Sequence, residues 1–493
     1  MSVVAPQNRW LILAPVMASS FMIAVETTIV STAMPQIVGQ LGDLQLYSWV
    51  FAAFLLAQSA ATVVFGKLAD IFGRRRTLFA GMAIFLLGSL LCGFAWSMLS
   101  LVLFRLVQGL GAGAVAPVTM TIVGDLYPAQ ERGRVQGYLA SVWGVSSVLG
   151  PLAGGLIVQH LSWGWVFWIN IPVGIAATTG FFLFLREKLE HQRRSVDVPG
   201  ALLFTLAVSA LIVALTEAGN GKAHTPLIAA GVFSAALLAF VWQERRAAEP
   251  MIAFRLWGSR IMASVNGATM LSGMAMIGLI TFLPMYVQAI LGRSALVAGM
   301  TLTATVLGWP IAATYAAHNF TRFGLRGTAM IGAVLIPAGA SVFVLLGPGM
   351  SPWVPGLGSL VLGFGLGFFG TAAIVIIQDS VGWEERGVAT ASNLFARNLG
   401  STLGAAMLGA LLNWRLASGP APVSAEHVRQ LINHPAAADA TTRVALGAAL
   451  HWTFCGVLAF ALLTLAIGLL IPHVRLGTRQ SAGVAEEAVL MEP

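Results

Sequence analysis

The chain has 493 residues, of which 57% are apolar or aromatic and only 9% charged, whereas soluble domains average about 25% charged. Together with a mean hydropathy of +0.84, this excludes an ordinary soluble enzyme and a disordered chain. The net charge of +8 does not point to nucleic acid, because the basic residues flank apolar runs and form no tract interleaved with exposed aromatics.

Fourteen apolar segments follow one another at about 11–34, 48–66, 77–96, 99–122, 135–158, 165–185, 198–217, 226–243, 260–284, 296–317, 327–347, 353–377, 387–412 and 446–471. Each is close to the ~20 residues that an α-helix needs to cross a hydrocarbon core. The expected fold is all-α and polytopic: two six-helix bundles, 1–190 and 259–475, two inserted helices in 191–258, a long loop 413–445 and a tail 476–493. The first segment could pass for a signal peptide, but Glu26 interrupts its apolar run. It reads as a retained helix.

An even number of spans puts both ends on one side. With that side cytoplasmic, 20 of the 27 Lys and Arg lie inside, five lie outside, and Arg105 and Arg397 fall within spans. That is the asymmetry of the positive-inside rule, and an odd count would destroy it. The expected location is the cytoplasmic or inner membrane, with both termini cytoplasmic. Cys92 and Cys455 lie in separate apolar runs, which supports neither a disulfide framework nor a Cys-based metal site.

The chain repeats weakly. Glu131-Arg132-Gly133 returns as Glu385-Arg386-Gly387, an offset of 254, and Gly73 with Arg74 has a worn counterpart in Gly324 with Arg326, Gly73 to Gly324 being an offset of 251. Spans 1–6 therefore pair with spans 9–14. Parallel repeats of six helices are a transporter architecture, with the substrate site at the interface of the halves near mid-membrane.

Glu26 is the most informative intramembrane residue, since a carboxylate at that depth costs about 2.5–3.5 kcal/mol on insertion scales. It lies about 22 Å into span one and Arg105 about 9 Å below the opposite entry of span four, by the ~1.5 Å rise per residue. Opposite charges thus share a depth. Burial and a neighbouring guanidinium act in opposite directions on such a carboxyl, which lets it trade a proton for a cationic ligand. A purely structural ion pair is the competing reading, and Arg397 reads equally as a packing cation or a cavity residue. The wall of a cavity would be drawn from Gln58, Trp143, Asn266, Trp309, Asn393 and Arg397, aromatic and polar groups suited to lipophilic or cationic molecules.

After span two, Gly66, Asp70, Gly73 and Arg74 form a cytoplasmic turn. Asp70 at a helix C-terminus opposes the dipole and should seek Arg74 or a neighbouring helix N-terminus. Gly73 would supply the reversal. In span five, Gly144, Gly150, Pro151, Gly154 and Gly155 combine a kink with a smooth face for a second helix. No P-loop, Ser/His/Asp set or His cluster supports ATP-driven export or catalysis.

These segments resemble the signatures of the major facilitator superfamily. Gly66-Lys67-Leu68-Ala69-Asp70-Ile71-Phe72-Gly73-Arg74-Arg75-Arg76 is similar to its loop signature, Leu103 to Gly113 to its span-four signature and Gly144 to Gly155 to its antiporter signature. Val25-Glu26-Thr27-Thr28 through Pro35, and Trp163-Gly164-Trp165-Val166-Phe167-Trp168-Ile169-Asn170-Ile171-Pro172, narrow the resemblance to the fourteen-helix drug:proton antiporters. Glu26 stands where that family usually has Asp, and Gly164 where it has Arg. The resemblance implies a proton-coupled exporter of lipophilic, cationic compounds, drawing on the proton gradient without a cofactor. It would have protons, lipids and small molecules as partners, no nucleic acid, and a periplasmic adaptor where the envelope is Gram-negative. An exporter dedicated to one endogenous metabolite, lipid or antibiotic is the alternative. A non-transporting membrane sensor or assembly component would keep the packing glycines and carry no flux.

Overall fold

The structure is a computed structural model describing residues 9–127, 129–185, 198–217, 224–247, 257–382, 385–418 and 440–472. Within these residues the chain forms fourteen long helices. In the first half they are α1 (Arg9–Leu41), α2 (Tyr47–Phe72), α3 (Arg74–Gly93), α4 (Met98–Leu126), α5 (Ala129–His160) and α6 (Trp165–Phe184). A pair follows, α7 (Val198–Glu217) and α8 (His224–Arg246). The second half holds α9 (Arg260–Met285), α10 (Ala295–His318), α11 (Phe320–Val344), α12 (Trp353–Asp379), α13 (Arg386–Ser418) and α14 (Ala440–Leu469).

Twelve of these are long and apolar enough to cross a membrane. The other two are α7, with a shorter apolar stretch at Leu202–Leu211, and α13, whose buried Ser392, Asn393, Ser401, Thr402 and Asn413 lower its hydropathy. Several helices outrun their apolar cores: α1 continues to Leu41, α2 to Phe72 and α13 to Ser418. Backbone hydrogen bonding propagates past the last apolar residue, since each added residue gains a bond once the helix is nucleated. The loop expected at 413–445 is shortened accordingly, and its residues 419–439 lie outside the described set.

The two halves are built alike. In the first, α2 and α3 pack on α4, and α1 on α5 and α6; in the second, α10 and α11 pack on α12, and α9 on α13 and α14. The correspondence reaches single residues. A Cβ on Gly109 or Gly113 of α4 would strike the Phe54 and Gln58 carbonyls of α2, and one on Gly363 or Gly367 of α12 would strike the Thr305 and Trp309 carbonyls of α10. Both turns carry a glycine no other residue replaces comfortably, Gly73 at φ 90° and Gly324 at φ 69°. After each, an arginine reaches the end of the sixth helix of its half: Arg75 Nη2 donates to the Phe182 carbonyl at 3.1 Å, and Arg326 Nη2 to the Leu469 carbonyl at 3.4 Å.

The halves meet through α2 against α13 and α5 against α10, and their close polar contacts gather at the end marked by the 42–46 turn. Tyr47 donates its hydroxyl to the Thr281 carbonyl at 2.8 Å and stacks on Phe282. Gln288 reaches the Thr32 carbonyl at 3.2 Å, and Asn413 the Gln45 carbonyl at 3.0 Å. Of the inserted pair, α7 packs on α2 and α13 and carries α8 on its flank, with Phe204 between Phe240 and Phe395.

Candidate functional site

In the first half, Glu26 of α1 and Arg105 of α4 form the ion pair that their depths suggest. Both are closed off from solvent, at 0% and 1% exposure. Arg105 Nη1 also donates to Gln108 Oε1 at 2.6 Å, and its Nε to the Val50 carbonyl at 3.1 Å. Its guanidinium lies over the Phe54 ring, 4.1 Å from the centroid. Asn170 Nδ2 donates to the second Glu26 oxygen at 2.5 Å, and Gln108 Nε2 passes the chain on to Ser89 Oγ at 2.8 Å. Each carboxylate oxygen therefore has a donor. A buried pair of charges is tolerable only with geometry of this kind.

Two of these partners were not singled out from sequence. Gln108 follows Arg105 by three residues, which places both on one helix face. Asn170 was visible only as a letter in a motif. It turns inward because the Trp165–Trp168 turn presses on α3: a Cβ on Gly164 would lie 2.7 Å from the Gly93 carbonyl, and Trp168 Nε1 donates to the Leu90 carbonyl. The Gly164 departure thus has a steric reason here, close approach of two backbones.

The second half holds a cavity of about 270 Å³ between α9, α10, α12 and α13. Trp309, Asn393 and Arg397 line it with Thr269, Ser272 and Phe369. Asn393 Nδ2 donates to Asn266 Oδ1 at 3.0 Å and to Thr269 Oγ1 at 2.9 Å, so Asn266 supports the wall from behind. Gln58 and Trp143 do not border this cavity. Gln58 is half-buried on α2 and Trp143 exposed on α5. The repeat explains the miss: Trp143 plus 254 is Arg397, and Gln58 plus 251 is Trp309. The four residues occupy equivalent places, and the second-half pair is the one that lines this cavity.

Of the turn residues, Gly73 caps α3 and accepts the Thr77 hydroxyl at 2.9 Å through its carbonyl. Gly66 has open space around it, so close packing does not require it. Arg74 opens α3, and the Asp70 side chain lies outside the described residues. In α5, Gly150 and Gly154 admit α1, where their Cβ atoms would meet Thr28 and Ile29. Pro151 and Gly155 face the other half: Pro151 abuts Gly299 and Gly155 abuts Leu296, both on α10. A Cβ on Gly144 would meet nothing within 4 Å. The segment is therefore a two-sided joint, one side within its half and one side across the interface.

The Major Facilitator Superfamily profile matches residues 16–405. The chain is 35% identical over 396 residues to Multidrug resistance protein 3 of Bacillus subtilis (strain 168), covering 79% of this chain and 76% of that protein. It is 33% identical over 411 residues to Multidrug transporter protein MdtP of the same organism, covering 83% and 76%. The fold superposes on a bacterial homologue of the human lysosomal transporter Spinster, in an inward-facing and unoccupied conformation, with TM-score 0.68 at 17% identity, covering 95% of this chain and 98% of that one. A fourteen-helix chain with two like halves, a profile match over most of its length and relatives of this identity belongs to the major facilitator superfamily of membrane transporters.

Proposed function

We propose that the protein is a proton-coupled exporter of lipophilic small molecules, working by alternating access in the cytoplasmic membrane with both termini inside. The observation that carries this reading is the dry knot around Glu26, whose only ionic partner among the described residues is Arg105. A proton arriving on Glu26 removes the charge that holds Arg105 and loosens α1 from α4. The same helix carries Thr32, whose carbonyl takes the Gln288 bond from the second half. Changing the knot therefore changes the anchorage of the interface. With the 42–46 end outside, as the distribution of Lys and Arg requires, the halves are sealed outward and the second-half cavity is approached from the cytoplasm.

The names of the two Bacillus relatives and the mixed aromatic and polar wall support lipophilic cargo. The expectation of a cationic cargo rested on Glu26, on aromatic walls suited to cation–π contact and on the family resemblance. In this state both Glu26 oxygens are taken by Arg105 and Asn170, so the cavity wall, and not the acid, meets the cargo first. At about 270 Å³ the cavity lies just below the usual ~300–1,000 Å³ of ligand pockets. This favours a narrow substrate range, the dedicated exporter, as the second reading. Resistance profiling separates the two, since a dedicated carrier protects against few compounds.

The test is flux in proteoliposomes under an imposed pH gradient, with a cationic, a neutral and an anionic lipophile. Glu26→Gln should abolish gradient-driven flux of whichever is carried while leaving insertion intact. Unchanged flux overturns the proton role of Glu26.

A further inference from the structure

Arg397 stands on α13 eleven residues beyond Arg386, about 16 Å along the helix axis at 1.5 Å per residue, and so well inside the membrane. It differs from Arg105 in one respect that decides its chemistry. Arg105 is neutralised by Glu26, whereas Arg397 has no hydrogen bond or ion pair among the described residues. Its one described neighbour of consequence is Trp309, whose ring centroid lies 5.9 Å from the guanidinium carbon. Both side chains border the cavity. A guanidinium carries five donors and cannot shed its proton at physiological pH, and charge inside a membrane is expensive unless something pairs with it. Nothing in the surrounding wall does. No acidic residue lines it: Asn393 is tied to Asn266 and Thr269, and the remaining lining is hydroxyl, apolar or aromatic.

We infer that the second-half cavity is a binding site for a lipophilic anion, an aromatic or aliphatic body ending in a carboxylate or similar oxyanion, with Arg397 as its counter-charge and Trp309 and Phe369 as walls. The planar fork of the guanidinium matches a carboxylate through two parallel hydrogen bonds, and Thr269 and Ser272 offer hydroxyls beside it. The inference deepens the exporter reading by naming the charge of its cargo.

The test is equilibrium binding to the purified full chain in lipid nanodiscs, which needs no proton gradient. The probes share one ring system and differ in charge: anthracene-9-carboxylate, its neutral carboxamide and the (anthracen-9-ylmethyl)trimethylammonium cation. The wild type should bind the carboxylate at least tenfold more tightly than either of the others. Arg397→Gln should bring carboxylate and carboxamide within twofold, and Arg397→Lys should keep part of the preference. Equal affinities in the wild type, tighter binding of the cation, or a preference that survives Arg397→Gln would overturn the inference and make Arg397 a packing cation. The wild-type series decides alone should the variant fail to fold. Arg397-dependent binding without flux of any probe would sink the exporter reading and leave this site standing; flux without charge preference would do the reverse.

Discussion

The two halves share a scaffold and differ in what they enclose. Glycines at equivalent places press α4 on α2 and α12 on α10, yet the first half fills its centre with Glu26, Arg105, Gln108 and Asn170, and the second leaves a cavity beside a cation without an ionic partner among the described residues. Where Gln108 stands in α4, the second half has Leu362 in α12, 254 residues on. Both halves bond their buried polar groups to each other, but the first pairs its buried charges and the second has a cation on a cavity wall. Duplicated packing with divergent contents lets one architecture hold a buried ion pair in one half and a cavity in the other.

The sharpest way to break this comparison is to remove the cation from each half. Arg105→Leu strands a buried carboxylate and should cost about 3–5 kcal/mol, seen as a large drop in the thermal unfolding midpoint of the purified protein. Adding Glu26→Gln should recover part of the loss. Arg397→Leu, with no partner to strand, should leave the midpoint unchanged or raise it. Equal losses at both positions would mean that Arg397 has a partner after all.

Shared packing predicts equal losses elsewhere. A Cβ at Gly111 would lie 2.5 Å from Phe85 Cα, and one at Gly365 2.6 Å from the Ile336 nitrogen. Alanine at either should therefore cost about 1–3 kcal/mol by overpacking, with the two values close to each other in the same unfolding measurement. Smaller still is the pair of turns. Gly73 at φ 90° and ψ 150° and Gly324 at φ 69° and ψ 162° occupy backbone regions nearly closed to other residues, so Gly73→Ala and Gly324→Ala should each cost about 1–2 kcal/mol. The smallest effect is expected at the seam between the halves. Tyr47→Phe deletes one hydrogen bond to the Thr281 carbonyl, worth about 1 kcal/mol, and should speed maleimide labelling of a cysteine introduced at Ser48, which is buried there against Gly409.

Much of this was legible in the sequence because the membrane simplifies the physics. Lipid admits few charges, so Glu26 and Arg105 stood out, and helical rise alone put them at one depth. Trp309, Asn393 and Arg397 were named for the cavity on similar grounds. What could not be read was facing. Gln58 and Trp143 occupy the places equivalent to Trp309 and Arg397, and nothing in their own segments tells that the described cavity belongs to the second half. Nor did Asn170 announce itself, because its inward turn comes from Gly164 pressed against Gly93, a contact between segments seventy residues apart. Helix ends were also misjudged, since apolar runs mark the hydrocarbon core and α1, α2 and α13 continue beyond it.

The solitary guanidinium on α13 has a consequence for energetics. An elementary charge crossing the whole membrane field exchanges about 2.3 kcal/mol per 100 mV, and a residue whose access alternates between the two sides feels a fraction of that. Under the proposed alternating access, an anion at Arg397 would leave the second half electrically balanced and its swing outward blind to voltage. Emptied, it would carry a positive charge that an inside-negative potential draws back toward the cytoplasm. Membrane voltage would then reset the carrier after each delivery, a task separate from anything the proton does in the other half.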